Sequence, residues 1–474
     1  MPYFMSIGQV PRKRFSQFPD EQGKLFSAEV MGEEGFSSNM SLLYHRHPPS
    51  AVVKVEVPEF SAPVLKPNHP LLPRLFDTKD MATGGDPVAQ RHLLCGNADV
   101  LVSFVAADSA SGLYRNATGA ELYFVHEGAA KLETVFGSFE IEKGDYVVIP
   151  KATTHRWIPR ADNPLRALVF EVSGHIRPPR RYLTGTGQFH QEAPYSELDL
   201  RRPAGPLLVE GDNIEVTVKT REGLTRYTYA KHPFDVVGWF GCNYPFVLNI
   251  ADFSPITGSF HRPPRRYLTG TGQFHQESPY SELDLRRPEG PLLVEGDNVE
   301  VTVKTRDGLT RYTYAKHPFD VVGWFGCNYP FVLNIADFSP ITGSFHRPPP
   351  VHQVFEADNC VFCNFVPRML DYDPRAMPVP SYHSNVDSDE FIFYAEGNFF
   401  SRKGSGISRG AISLHPAGHL HGPHPGSWES GPSRVGQRTE EIAVMLDTFK
   451  PLLLGPAALA AERPDYVMSW APKA

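Results

Sequence analysis

The chain has 474 residues, enough for two to four domains of ordinary size. At 41% apolar and 21% charged residues it is too hydrophobic for wholesale disorder. Its 46 Lys and Arg against 53 Asp and Glu leave a formal charge of −7, and no run of five like charges occurs, which argues against nucleic acid or an anionic membrane as partner.

The 45 prolines and 39 glycines are scattered without a period, so long helices would be broken and short strands between turns are favoured. The sequence therefore predicts an all-β fold. Met1 to Gly8 lead into Arg12, Lys13 and Arg14 with no apolar run behind them, unlike a secretory leader. The longest apolar stretch, near 451–461, is about a dozen residues broken by Gly455 and Pro456, short of the ~20 a membrane span needs. Five cysteines do not make a disulfide scaffold, and Cys360 and Cys363 lack the second pair of a structural zinc site, so reduced core thiols and a cytoplasmic protein are expected.

An extended segment (1–89) opens the chain. Residues 90–176 follow, with Glu121 to Gly128, Lys131 to Phe136 and Gly144 to Pro150 reading as strands between glycine turns, and His155 beyond them. Residues 177–261 then recur as 262–346, at an offset of 85, with four differences: Ala193/Ser278, Ala204/Glu289, Ile214/Val299 and Glu222/Asp307. Two long copies in mid-chain do not fit a solenoid, which stacks shorter units in larger number. They point to a tandem duplication or a gene-assembly error. Either copy offers the same side chains to the same core, and the second, which runs directly into the downstream unit, is expected to dock. The displaced copy would expose apolar surface and lower solubility.

Residues 347–450 repeat the punctuation of 90–176. In each unit a Glu is followed seven residues on by Gly, and a later Gly leads in six residues to Pro and in five more to His. This resembles the cupin barrel: Gly410, Pro416, Gly418 and His421 fit its second motif, while His383, Glu390 and Gly397 fit its first, where Asn385 replaces a second His. Two such barrels, the first without metal because Tyr114 and Asn116 stand where ligands would be, are implied. Residues 451–474 form a tail.

His383 and Glu390 lie an odd interval apart, on opposite faces of any single strand, so the turn-forming residues Asn385 to Asp389 must bring them inward from neighbouring strands. His421 arrives after the Pro416 to Gly418 turn. Two imidazoles and a carboxylate suit iron(II) with open positions for dioxygen, and equally zinc with a bound water. His415 is expected to support these ligands, and His419 and His424 to have ordinary packing roles.

Leu94-Cys95-Gly96, Phe234 to Trp239 with its copy Phe319 to Trp324, Ser344 to Pro349, Tyr382 to Asn385, Glu390-Phe391 and His421-Gly-Pro423 resemble, in order, the homogentisate 1,2-dioxygenase family. That resemblance implies a non-haem iron(II) enzyme opening the ring of 2,5-dihydroxyphenylacetate with dioxygen to give maleylacetoacetate, in tyrosine and phenylalanine catabolism. It also implies trimers pairing into hexamers. It makes His383, Glu390 and His421 the metal ligands, His346 the base, and Asn385 and Phe399 neighbours of the substrate beside His421. Ser384 stands where the family has Arg and Phe399 where it has Tyr, which leaves open another hydroquinone or gentisate-like substrate. A two-barrel binding protein without turnover is the alternative from another class.

Overall fold

The structure is a computed structural model and describes residues 4–60, 64–185, 187–190, 193–220, 222–254, 281–324, 328–337, 352–370, 374, 376–402 and 404–471. It forms two compact units, a body of residues 1–262 with 345–474, and a second unit of residues 263–344. The fold is all-β: strands carry the regular structure, and the α-helix among the described residues is the five-residue Pro456–Ala460. Among the described residues no helix is long and apolar enough to cross a membrane.

In the body an eight-stranded and a seven-stranded sheet enclose a core of Tyr123, Val125, Leu132, Val147, Trp157 and Val169. These residues alternate along Ala120–Glu127, Ala130–Thr134, Asp145–Ile149, His155–Pro159 and Leu165–Val172, as period-2 side chains must when one face of each strand is buried. Their opposite faces are also apolar. Phe104, Phe124 and Phe170 point away from this core and meet Phe362, Phe391 and Phe393 of a six-stranded sheet built from the C-terminal part, with Phe170 and Phe362 ring centroids 5.3 Å apart. The near-continuous hydrophobic runs of the central strands therefore reflect burial on both sides.

The six-stranded sheet runs in the order Gln353–Ala357, Cys360–Phe365, Ile442–Thr448, Asp389–Glu396, Ala411–His415, Arg74–Asp77. Its second face lines an interior of Leu75, Cys363, Ile392, Tyr394, Phe399 and Met445. The spacing common to the two halves has a steric reason at the glycine seven residues after each Glu. Gly128 and Gly397 have φ of +84° and +97°, and a Cβ there would lie 1.9 Å from Pro164 O or 2.2 Å from Glu440 O. Only glycine fits a left-handed position with a carbonyl that close.

The N-terminal segment is no separate extension. Met5–Gly8, Ser27–Gly32 and Met40–His45 form a four-stranded sheet with Val236–Gly241, Val52–Glu56 edges the seven-stranded sheet, and Arg74–Asp77 edges the six-stranded one.

The expectation that the second copy docks is overturned. Copy one supplies Val236–Gly241 between Met5–Gly8 and Met40–His45, Phe246–Asn249 beside Asp145–Ile149, and the hairpin Asp212–Lys219/Leu224–Lys231 to the seven-stranded sheet. Among the described residues copy two keeps pairings made within its own sequence, among them Leu285–Arg286 beside Val332–Leu333, the counterpart of Leu200–Arg201 beside Phe246–Asn249. The hairpin Asp297–Thr305/Gly308–Lys316 pairs Val301 with Tyr312, as Val216 pairs with Tyr227, but stands as a two-stranded sheet. Val321, Val322 and Trp324 are exposed and form no strand, whereas their duplicates Val236, Val237 and Trp239 are buried in one. Sequence identity fixes the hairpin, and tertiary neighbours decide the rest.

Candidate metal centre

The strand Asp389–Glu396 points Glu390, Ile392 and Tyr394 into the interior and Phe391 and Phe393 into the shared core. Glu390 faces His415 on one neighbouring strand and Asp447 on the other. His383 does not lie on a strand next to that of Glu390, as the turn between them had suggested. It bridges His421 instead, each backbone N–H donating to the other's carbonyl at 2.8 Å, and reaches Glu390 from across the interior. A narrow antiparallel pair sets the two imidazoles side by side with ring centroids 4.4 Å apart.

His383, Glu390 and His421 offer ligand atoms that all lie within 4.8 Å of one another. His383 Nε2 is 3.9 Å from Glu390 Oε2, and His421 Nε2 is 3.5 Å from Glu390 Oε1. At those lengths neither is a good hydrogen bond. Both rings spend Nδ1 on a backbone carbonyl two residues upstream, Ser381 O at 2.8 Å and His419 O at 2.9 Å. That fixes the tautomer with Nε2 as the acceptor, the arrangement that metal-ligating histidines use. The Nε2 of His421 is buried without a hydrogen-bond partner, which costs free energy unless something else, such as a cation, is its partner. The donor set therefore fits a divalent metal.

Burial alone would raise the Glu390 carboxyl, but contacts with His383, His415 and His421 hold it well below the usual carboxylate range. The Glu390 carboxylate raises His383 in turn. His415 donates or accepts at both ring nitrogens, with Nδ1 2.8 Å from Glu390 Oε1 and Nε2 3.0 Å from Tyr466 Oη, and burial pushes its pKa down to about 3. It holds the carboxylate rather than joining the cluster. His424 bonds Ser469 and stacks on Trp470, and His419 lies half-exposed with its ring 6.3 Å from that of His421.

Of the remaining residues expected at the site, Asn385 is half-buried on the loop after His383, with its carbonyl accepting from Gly418 N–H. Phe399 packs edge-on against Tyr394 in the interior core. His346 and its duplicate His261 lie outside the described residues. Cys360 and Cys363 are free and face opposite sides of their strand, and burial pushes the Cys360 thiol up to about 12.

Sequence reasoning missed Tyr466, which the supposed tail brings to His415, and Asp447, whose buried Oδ1 has no hydrogen-bond partner. Burial and the neighbouring Glu390 raise the Asp447 carboxyl well above its usual range. A lone acid closing the apolar strand Ile442–Thr448 was the one signal for it.

The other half repeats this construction with different charges. His155 bridges Tyr114, spends Nδ1 on Thr153 O and leaves Nε2 unpartnered, 3.8 Å from Glu121. Glu121 is buried opposite Glu171, and the positive charge comes from Arg91, whose Nη1 lies 3.1 Å from Glu121 and 2.7 Å from Glu171. Burial would raise the Glu121 carboxyl, but Arg91 draws it down to about 2. Tyr114 and Asn116 donate to Glu121 as well, so the two positions that lack ligands bind the carboxylate directly.

Residues 77–250 match the family model for the homogentisate 1,2-dioxygenase N-terminal region. A protein of Saccharolobus solfataricus named "putative dioxygenase" is 30% identical over 478 aligned positions that cover 99% of both chains. Among solved structures, a cupin 2 conserved barrel domain protein from Leptotrichia buccalis is 10% identical, covering 84% of this chain and all of that one at a TM-score of 0.28. A hydroquinone 1,2-dioxygenase from Sphingomonas with 4-hydroxybenzoate bound is 11% identical, covering 25% of this chain and 82% of that one at a TM-score of 0.18.

Proposed function

The chain belongs to the homogentisate 1,2-dioxygenase family, and we propose that it is a ring-cleaving dioxygenase whose iron(II) is held by His383, Glu390 and His421 and whose substrate is homogentisate. The observation that carries the proposal is the convergence of these three side chains with two Nε2 atoms aimed at one carboxylate and the buried one unpartnered. Iron(II) bound there would supply one-electron chemistry with dioxygen and acidify a coordinated substrate hydroxyl.

The chain's own residues do the rest. Glu390 stays ionised, and His415, itself anchored by Tyr466, holds one of its oxygens. His383 has a side chain 41% exposed while those of Glu390 and His421 are nearly inaccessible, so substrate approaches from the side of His383. His346 is proposed as the base that takes the substrate's hydroxyl proton, a task suited to an imidazole near neutral pH. Asn385 is proposed to hydrogen-bond a substrate oxygen on the same side.

The test is anaerobic reconstitution with iron(II), metal analysis, and oxygen uptake with homogentisate, gentisate and hydroquinone. Stoichiometric iron and uptake with homogentisate support the proposal. Replacing His421 by Ala should remove both iron and uptake, and an iron-loaded chain inert to all three substrates would refute the reading.

A further inference from the structure

The half of the body that carries Glu121 encloses a cavity of about 840 Å³, lined by strands of both the eight-stranded and the seven-stranded sheet and by none of the metal-centre residues. Its place follows from strand alternation. Along Val100–Ala107 the inward Val105 belongs to the packed core, whereas Ser103 and Leu101 on the same face line the cavity; along Leu165–Val172 the step runs from Val169 in the core to Glu171 at the cavity. Arg91, Glu171 and Lys219 therefore form a charged floor between filled core and open space.

That floor is balanced in charge. Arg91 spends its N–H groups on Pro87 O, both oxygens of Glu121, Glu171 and Tyr123 Oη. Lys219 places Nζ 2.6 and 2.5 Å from the two oxygens of Glu171, keeps a third proton to donate, and is the most accessible of the three, with a side chain 18% exposed against 8% for Arg91 and 6% for Glu171. Of the other charges around the cavity, Asp99 pairs with Lys450, Arg226 with Glu215, Asp86 accepts from Val88 and Ala89 N–H, and Glu59 is exposed. The walls are apolar at Phe60, Leu65, Leu93, Leu101 and Leu224. A ligand charge of either sign would add an unbalanced charge to this enclosure, which is costly, whereas a neutral oxygen can accept from Lys219.

We propose that this cavity is a second binding site, independent of the metal centre, for an uncharged and mainly apolar molecule of one or two rings whose carbonyl or hydroxyl oxygen accepts a hydrogen bond from Lys219. The volume lies within the roughly 300 to 1,000 Å³ of small-molecule pockets, which favour the mouths of β-barrels. One wall belongs to copy one: Thr217, Lys219 and Leu224 stand on its docked hairpin, while their counterparts Thr302, Lys304 and Leu309 are exposed on the two-stranded sheet of copy two. The chain thus carries its own control.

The experiment is calorimetry on the full chain, with and without iron(II), using three naphthalenes of matched size: 2-acetylnaphthalene, 2-naphthoate and 2-naphthylmethylamine. The ketone should bind equally well in both preparations, and the acid and the amine at least about tenfold more weakly. Thr217→Phe and Ser103→Phe fill the cavity from facing sheets and should each weaken the ketone by at least about tenfold, the loss of one buried apolar contact face. Thr302→Phe should change it by less than about twofold, since that position lies on the exposed copy. Lys219→Met, which keeps the space and removes the donor, should cost about tenfold. Thermal melts come first, and the comparison rests on whichever of Thr217→Phe and Ser103→Phe melts with wild type.

Ketone binding that survives the filling variants, or falls equally in Thr302→Phe, would place the probe elsewhere and overturn the proposal. So would binding of the acid or the amine as tight as that of the ketone, binding that requires iron, or no saturable binding to wild type. Selective ketone binding in a chain with no oxygen uptake would uphold this site while refuting ring cleavage.

Discussion

Trp239 and Trp324 are the same residue in the same sequence context, and the structure gives them opposite fates. Trp239 is fully buried, its indole N–H donates at 2.8 Å to Phe136 O, and its ring meets Phe136 and Tyr244 with centroids 5.0 and 5.2 Å away. Trp324 is 48% exposed. Truncating a buried Trp to Ala costs about 3 to 5 kcal/mol, and a carbonyl left without its donor adds roughly 1 kcal/mol or more. Trp239→Ala should therefore destabilise the body by about 5 kcal/mol, while Trp324→Ala should stay within about 0.5 kcal/mol of wild type. At about 2 °C per kcal/mol for a large unit, the first transition in differential scanning calorimetry should fall by roughly 10 °C in one variant and hardly move in the other. Denaturant unfolding followed by tryptophan fluorescence provides the cross-check. Equal shifts in the two variants, or a silent Trp239→Ala, would show that copy two can take the place of copy one, and the assignment of the docked copy would fall.

Three further outcomes are expected. Burial would lower the His45 pKa, but hydrogen bonds to Asp235 and Glu29 raise it to about 9. A group whose pKa rises on folding stabilises fully below its ordinary value of 6.5 and loses that contribution as pH climbs through 9, on the order of 3 kcal/mol. Melting temperature should thus drop from pH 6.5 to 9.5, and His45→Gln should flatten that slope; an unchanged slope would count against the reasoning. Arg91→Met leaves Glu121 and Glu171 buried with Lys219 as their remaining cation, and should cost about 4 kcal/mol by denaturant titration. Tyr466→Phe removes the partner of His415 Nε2 and should weaken iron binding by up to about tenfold in competition with a chelator, whereas an unaltered affinity would show that Tyr466 does not support the ligand set.

Much of the candidate centre was legible in the sequence because its spacing encodes steric necessity. Gly397 must be glycine, the Pro416 to Gly418 turn must return the chain, and His383, Glu390 and His421 then converge. The groups that support them were not legible, since Tyr466 and Asp447 reach the centre through pairings between distant segments that no local pattern announces. The N-terminal strands were missed for the same reason: Arg74–Asp77 acquires its meaning only beside Ala411–His415. The choice between copies was beyond any reading of the sequence, because 177–261 and 262–346 differ at four positions and at none of the residues that separate buried from exposed.

The body is assembled from chain on both sides of the second unit. Arg74–Asp77 pairs with Ala411–His415, Cys95 and Gly96 pair with Leu454 and Leu453, and Phe104, Phe124 and Phe170 interlock with Phe362, Phe391 and Phe393. A protease that nicks the chain between residues 263 and 344 would sever the covalent thread without touching these contacts. The two fragments should stay together as a noncovalent pair that parts only under denaturant, so that a clipped preparation would migrate as two bands yet elute as a single particle.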